Sequence, residues 1–204
     1  MLALLKTLAL ALAVAFAAGA QANSLKVYVF IHDDVPEPIA ASPQEYFDPW
    51  LDEMHKIQPY PVEIDYRRSV PGITDVPYQA PDEARAIRQF RQAVGGTDDA
   101  TFSTRDHNGA KLYLLFTGDD INDRLRGVAE IGGAYGIAST SAYAAPGHEL
   151  GHMLTATHEA SQVLNNPWFC ETYMIPERVS LRSNCYRYSD QNRAIIGDHI
   201  HKRF

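Results

Sequence analysis

His148-Glu149-Leu150-Gly151-His152-Met153-Leu154-Thr155-Ala156-Thr157-His158 is the stretch on which the reading of this chain turns. On an α-helix, side chains four residues apart lie one above the other on the same face. His148 and His152 therefore present two imidazoles to a single cation. Glu149, one position on, lies beside that cation rather than on it, where a carboxylate can hold and deprotonate a metal-activated water. His158 comes six residues after His152, so the chain must leave the helix and turn back to deliver a third nitrogen. Three nitrogens with one open position make a catalytic zinc site, because structural zinc sites are closed by four protein ligands. The plainer alternative is an amphipathic helix with surface histidines and no metal. With 8 His in 204 residues, a third one at a given offset arises by chance roughly once in 25. That favours the metal site.

Composition narrows the field around it. The chain is 46% hydrophobic, enough for one globular domain with a substantial core. Its 25 acidic against 18 basic side chains give a net charge of −7, which argues against a nucleic-acid partner. Residues 1–22 have the layout of a secretory signal peptide. Lys6 supplies positive charge, residues 8–18 form an apolar run, and Ala20-Gln21-Ala22 is a small-x-small cleavage site. That run falls short of the ~20 unbroken apolar residues that span a bilayer. The expected organisation is a signal at 1–22 and one catalytic domain at 23–204. The mature part is read as secreted or periplasmic, monomeric and without a membrane span. Cys170 and Cys185 are the only cysteines, and in an exported chain a lone pair most simply forms one disulfide. The alternative, a thiolate metal ligand, lacks a ligand-spaced Cys cluster.

Along the chain, residues 25–31 are dense in apolar and β-branched side chains and predict a strand, and residues 62–66 alternate as a second. Ser42-Pro43 opens a helix running towards Ile57, with Pro49 expected to break it. Pro81-Asp82-Glu83 opens another, whose apolar stripe of Ala84, Ala86, Ile87, Phe90, Ala93 and Val94 is ended by Gly95-Gly96. Residues 111–116 read as a central strand buried on both faces. The acidic turn at residues 118–123 offers oxygen ligands. It lacks the full spacing of a calcium loop, so calcium stands as a secondary and disfavoured cofactor. Residues 127–138 hold two short extended pieces broken by Gly132-Gly133. The site helix is expected to start near Ser141, with Pro146 and Gly147 tolerable only if its regular part begins late. Ser189-Asp190 cap a last helix. His32, His55, His107, His199 and His201 are scattered and read as surface or tail residues. The order of elements predicts an α/β fold, a twisted mixed sheet with helices and a smaller C-terminal lobe, the site lying between the lobes.

The segments Leu114-Leu115-Phe116-Thr117-Gly118-Asp119, Gly127-Val128-Ala129, His148 to His158 and Met174-Ile175-Pro176 together resemble the metzincin zinc peptidases, most closely the adamalysin/reprolysin-like branch. The resemblance covers most of the chain from Lys111 onward. It implies a metzincin-like catalytic domain and a zinc endopeptidase acting on peptide or protein substrates. Zinc would be held by His148, His152 and His158, with Glu149 as general base. Met174 would lie in a tight turn beneath the metal, and Gly136, Ile137 and Ala138 would form the edge strand that pairs with substrate. Two departures stand out. Thr155 occupies the position of a family Gly that ends the helix in a left-handed conformation, so a strained turn, a longer helix or an altered approach of His158 is expected. Glu159 stands where the branch often has Asp. Glu171, 19 residues after His152, is the alternative third ligand on a gluzincin-like reading. Tyr173 precedes the Met and is read as packing beside the site. Arg178, Arg182 and Arg187 are either a solvated loop or a preference for acidic substrates. The rival from another class is a non-catalytic peptide-binding domain, against which the intact Glu149 argues.

Overall fold

Alternation along the first strand sets the two faces of the sheet. In β1 (Ser24–Ile31), Leu25, Val27, Val29 and Ile31 point to one side and Tyr28 and Phe30 to the other, all at most 2% exposed. Strand β3 (Gly109–Thr117) repeats the pattern with Leu112, Leu114 and Phe116 against Tyr113 and Leu115. The two strands pair in parallel with Val27 opposite Leu112, which brings like faces together. This computed structural model describes residues 23–96, 109–165 and 167–203, so the export signal read at 1–22 and His107 lie outside the described residues.

Strand β2 (Val62–Arg67) runs parallel to β1 on its other side, and β5 (Tyr135–Ser139) runs parallel to β3. Strand β4 (Gly127–Ala129) pairs antiparallel with β5 and closes the order β2-β1-β3-β5-β4. This corrects one expectation. Gly136, Ile137 and Ala138 lie inside β5, between β3 and β4, and the sheet edge is β4. The two extended pieces around Gly132-Gly133 fold into a hairpin, so the second piece is covered by the first.

Five helices are described. On one face of the sheet lie α1 (Glu37–Ala41), α2 (Gln44–Ile57) and the site helix α4 (Ala145–Met153). Pro49 does not break α2. Phe47, Trp50 and Met54 are fully buried against the sheet, and that burial outweighs the roughly 3 kcal/mol an interior proline costs. On the other face, α3 (Glu83–Gly95) buries Ala86, Ile87, Phe90 and Val94 against the sheet. It is capped by Asp82, whose carboxylate accepts the Arg85 N–H at 2.8 Å. Beyond the site helix lie a three-stranded sheet of β6 (Val163–Asn165), β7 (Phe169–Glu171) and β8 (Ser183–Asn184), and the last helix α5 (Asp190–Arg203). The disulfide Cys170–Cys185 ties β7 to the residue after β8, as read from composition. No described helix is long and apolar enough to cross a membrane.

A buried polar network joins α2, α5 and the site helix. Glu53, 0% exposed, accepts the Tyr188 N–H at 2.8 Å and the Arg193 Nε and Nη2 at 2.7 and 2.6 Å. The Tyr188 hydroxyl accepts from Trp50 Nε1 at 2.9 Å and donates to the Gly147 carbonyl at 2.5 Å. Tyr188→Phe leaves both groups unpaired in a dry environment and is expected to cost about 1–3 kcal/mol. Urea unfolding checks this: the midpoint drops while the slope stays unchanged.

Candidate metal centre

The site helix starts at Ala145, four residues later than Ser141, which places Pro146 in its first turn, where a missing N–H breaks no helical bond. Gly147 and Gly151 follow at a four-residue interval for a packing reason. A Cβ at 147 would lie 2.4 Å from Tyr173 Cε1, and one at 151 would lie 2.6 Å from Met174 Sδ and 2.8 Å from Tyr188 Cε1. The two glycines let Tyr173, Met174 and Tyr188 press against the helix backbone. Met174 is fully buried there, and Tyr173 is buried with its hydroxyl pKa pushed up by desolvation and by Glu53.

The three imidazoles of His148, His152 and His158 meet at one point. Their Nε2 atoms are 3.2 Å apart for His148 and His152, 3.0 Å for His152 and His158, and 3.0 Å for His148 and His158. A tetrahedral zinc with bonds of ~2.0–2.1 Å has ligand atoms about 3.3 Å apart. Ring chemistry makes the same demand. His148 Nδ1 lies 2.7 Å from the Tyr173 carbonyl and His152 Nδ1 lies 3.1 Å from the Ala156 carbonyl. A carbonyl only accepts, so both Nδ1 atoms carry the proton and both Nε2 atoms turn lone pairs towards each other. A shared cation turns that repulsion into coordination, and carbonyl-anchored rings are the usual support of a metal-binding histidine. Burial, followed by the neighbouring His152 charge, pushes the His148 pKa down to about 3. Burial and then His158 lower that of His152. Both rings are kept neutral and ready to bind. Among the described residues, this is the one group of three or more His, Cys, Asp or Glu side chains close enough to share an ion.

His158 reaches the site through a turn that Thr155 itself makes. The helix ends with Ala156 N–H on the Gly151 carbonyl at 2.8 Å and Thr155 N–H on the His152 carbonyl at 2.9 Å, the double bond of a Schellman cap. Thr155 sits at φ 70°, so the β-branched residue adopts the left-handed conformation expected of Gly, and the helix is not extended. Asn192 then fixes the approach. Its side chain accepts the Thr157 N–H at 2.9 Å and donates to the Thr157 carbonyl at 3.0 Å. Sequence reasoning passed over this residue, whose one available sign was an Asn in the opening turn of the last helix. Thr155→Gly removes the left-handed strain and is expected to raise stability by about 1 kcal/mol with zinc content unchanged. Thermal melts and metal analysis of the pair check it.

Glu149 faces the same cleft, only 6% exposed, and burial, followed by the charge of Glu83, pushes its pKa up to about 8. Its carboxylate lies against the backbone of Gly127 on β4. The cleft, about 850 Å³, runs between β4 on one side and Ile175 and Pro176 on the other, past the three histidines. Glu171 is elsewhere. Its carboxylate takes the Val179 N–H at 3.0 Å and pairs with Arg182 at 3.4 Å and Arg178 at 3.5 Å. The alternative third ligand is thus already committed. Arg187 pairs with Asp190, and of the three arginines read as a preference for acidic substrates only Arg178 lines the cleft. Asp120 of the acidic turn bonds Ser141 and lies 3.8 Å from Arg126. His32 is half-buried rather than a surface residue, with Nδ1 2.8 Å from Asp34 and Nε2 3.1 Å from the Val76 carbonyl.

Fold and cluster define an α/β protein whose three-histidine group fits a zinc ion. Among solved structures the chain is similar to metalloproteinase-II from Bacteroides fragilis, with a TM-score of 0.62 and 14% identity over 87% of this chain. It spans 53% of that protein's length, and at this identity the likeness speaks for the fold. The sequence matches no family model and no curated protein.

Proposed function

We propose that this chain is an exported zinc-dependent endopeptidase of the metzincin type, close to the adamalysin/reprolysin-like branch. Residues 1–22 would direct export and residues 23–204 would form the catalytic domain. The observation that carries the reading is the convergence of three Nε2 atoms within 3.2 Å, with a buried carboxylate one residue from the first ligand.

His148, His152 and His158 would hold the ion, and Met174 would floor the site from below. When bound, zinc supplies a Lewis acid that acidifies water and polarises the scissile carbonyl. Glu149 takes the proton of the attacking water on a carboxylate oxygen. It returns that proton to the amine nitrogen as the C–N bond breaks. The burial that raises its pKa is opposed by a dication on the histidines, and the balance suits a group that accepts and releases a proton near neutrality. The outer edge of β4 offers backbone amides and carbonyls to an extended peptide, which would bind as one more strand.

The test is cleavage of an unstructured protein by the purified chain. Hydrolysis within the polypeptide, stopped by a chelator and restored by zinc, is the expected result. A protein that binds no zinc, or that binds it and leaves the substrate intact, would overturn the reading.

A further inference from the structure

We propose that Gly127 is a positioning residue for Glu149: the side chain it lacks is the slot that the general-base carboxylate occupies. This rests on the peptidase reading and specifies how that site is assembled. A Cβ built on Gly127 would lie 2.4 Å from Glu149 Oε1, 2.8 Å from Glu149 Cδ and 2.8 Å from the Ile137 carbonyl oxygen. The Ile137 carbonyl is fixed backbone, and the Glu149 carboxylate yields only by swinging out into the cleft, away from its place beside the histidines. Glu149 stands between two ligand histidines on a buried stretch of helix, and Ile137 belongs to the β4–β5 ladder, opposite Val128.

Backbone conformation does not demand glycine here. Gly127 lies outside the left-handed region that Gly72 and Gly132 occupy, and the next two residues of the strand, Val128 and Ala129, carry side chains. Only the contact across to Glu149 and Ile137 excludes a methyl group. The edge strand thereby serves the site twice. Among the described residues its outer side has no partner strand, and its inner side sets the depth at which the proton-accepting carboxylate stops. A carboxylate moved by about 1 Å loses on the order of 100-fold in rate, because proton transfer depends steeply on position.

The experiment is a cycle of Gly127→Ala and Glu149→Asp, singly and together, followed by kinetics, zinc content and thermal melts. Gly127→Ala is expected to lower kcat about 100-fold, with a much smaller change in KM and with zinc retained. Asp is one methylene shorter and vacates the slot. The double variant is therefore expected to lie close to Glu149→Asp alone in kcat, and to melt above Gly127→Ala but below Glu149→Asp, because the contact with the Ile137 carbonyl remains. Losses that multiply, or a Gly127→Ala change confined to KM, would mean that the methyl group merely displaces the strand, and would overturn the proposal. If Gly127→Ala alone fails to fold, recovery of folding in the Glu149→Asp background supports the slot, and failure in both overturns it. A wild-type protein without zinc-dependent hydrolysis would sink the peptidase reading alone, because the melting temperatures still report the contact between positions 127 and 149.

Discussion

Glu149→Gln will lower kcat/KM by about 10²–10⁴-fold while the protein stays folded and keeps its zinc. The amide has the shape of the carboxylate, so it fills the same space beside Gly127. It cannot accept a proton from water, and that single loss separates catalysis from every other property of the site. The fold should not suffer, since Glu149 is nearly sealed from solvent and an uncharged group is easier to bury than a carboxylate. Kinetics on a quenched peptide, with metal analysis and circular dichroism on the same preparation, make the comparison. A variant that cleaves at the wild-type rate would show that another group accepts the proton.

The second large effect concerns the metal and the fold together. Three Nε2 atoms at 3.0–3.2 Å, two of them with lone pairs directed inward, repel one another until a cation joins them. Zinc bound to the native state and not to the unfolded chain stabilises it by about 2.7 kcal/mol at 100 times its dissociation constant, and by about 4.1 kcal/mol at 1,000 times. A chelator should therefore lower the melting temperature by several degrees, and added zinc should restore it. His158→Ala should abolish the zinc-dependent rise, because two imidazoles on one helix bind far more weakly than three that surround an ion. A wild-type melt indifferent to zinc and chelator would refute the three-histidine site.

The parts of the chain that were legible in sequence are those that physics keeps local. Three histidines and a carboxylate within eleven residues announce themselves through local spacing, and the three rings do converge. The central strands β1 and β3 do so through nearly continuous apolar runs that bury both faces. What escaped depended on partners far along the chain. Glu53 lies 135 residues from Tyr188 and 140 from Arg193, so its burial as a paired carboxylate left no local mark. Pro49 looked like a helix breaker because the packing of Trp50 and Phe47 that overrides it is tertiary. The sequence does not distinguish β4 from β5 as the edge strand, since a hairpin does not disclose which of its arms faces outward. Thr155 was read as an obstacle because its backbone preference is a local quantity, whereas the Schellman bonds and the Asn192 clamp that hold the turn are not.

The rings and the Glu149 carboxylate are supported by different parts of the fold. Carbonyls of Tyr173 and Ala156 anchor two of the imidazoles, whereas the Glu149 carboxylate lies across the cleft against Gly127 of the sheet. A preparation can therefore be stoichiometrically loaded and still inert if the sheet margin is disturbed. On the peptidase reading, metal stoichiometry would overcount working molecules, and turnover numbers should be normalised to the fraction titrated by a tight inhibitor that engages the carboxylate.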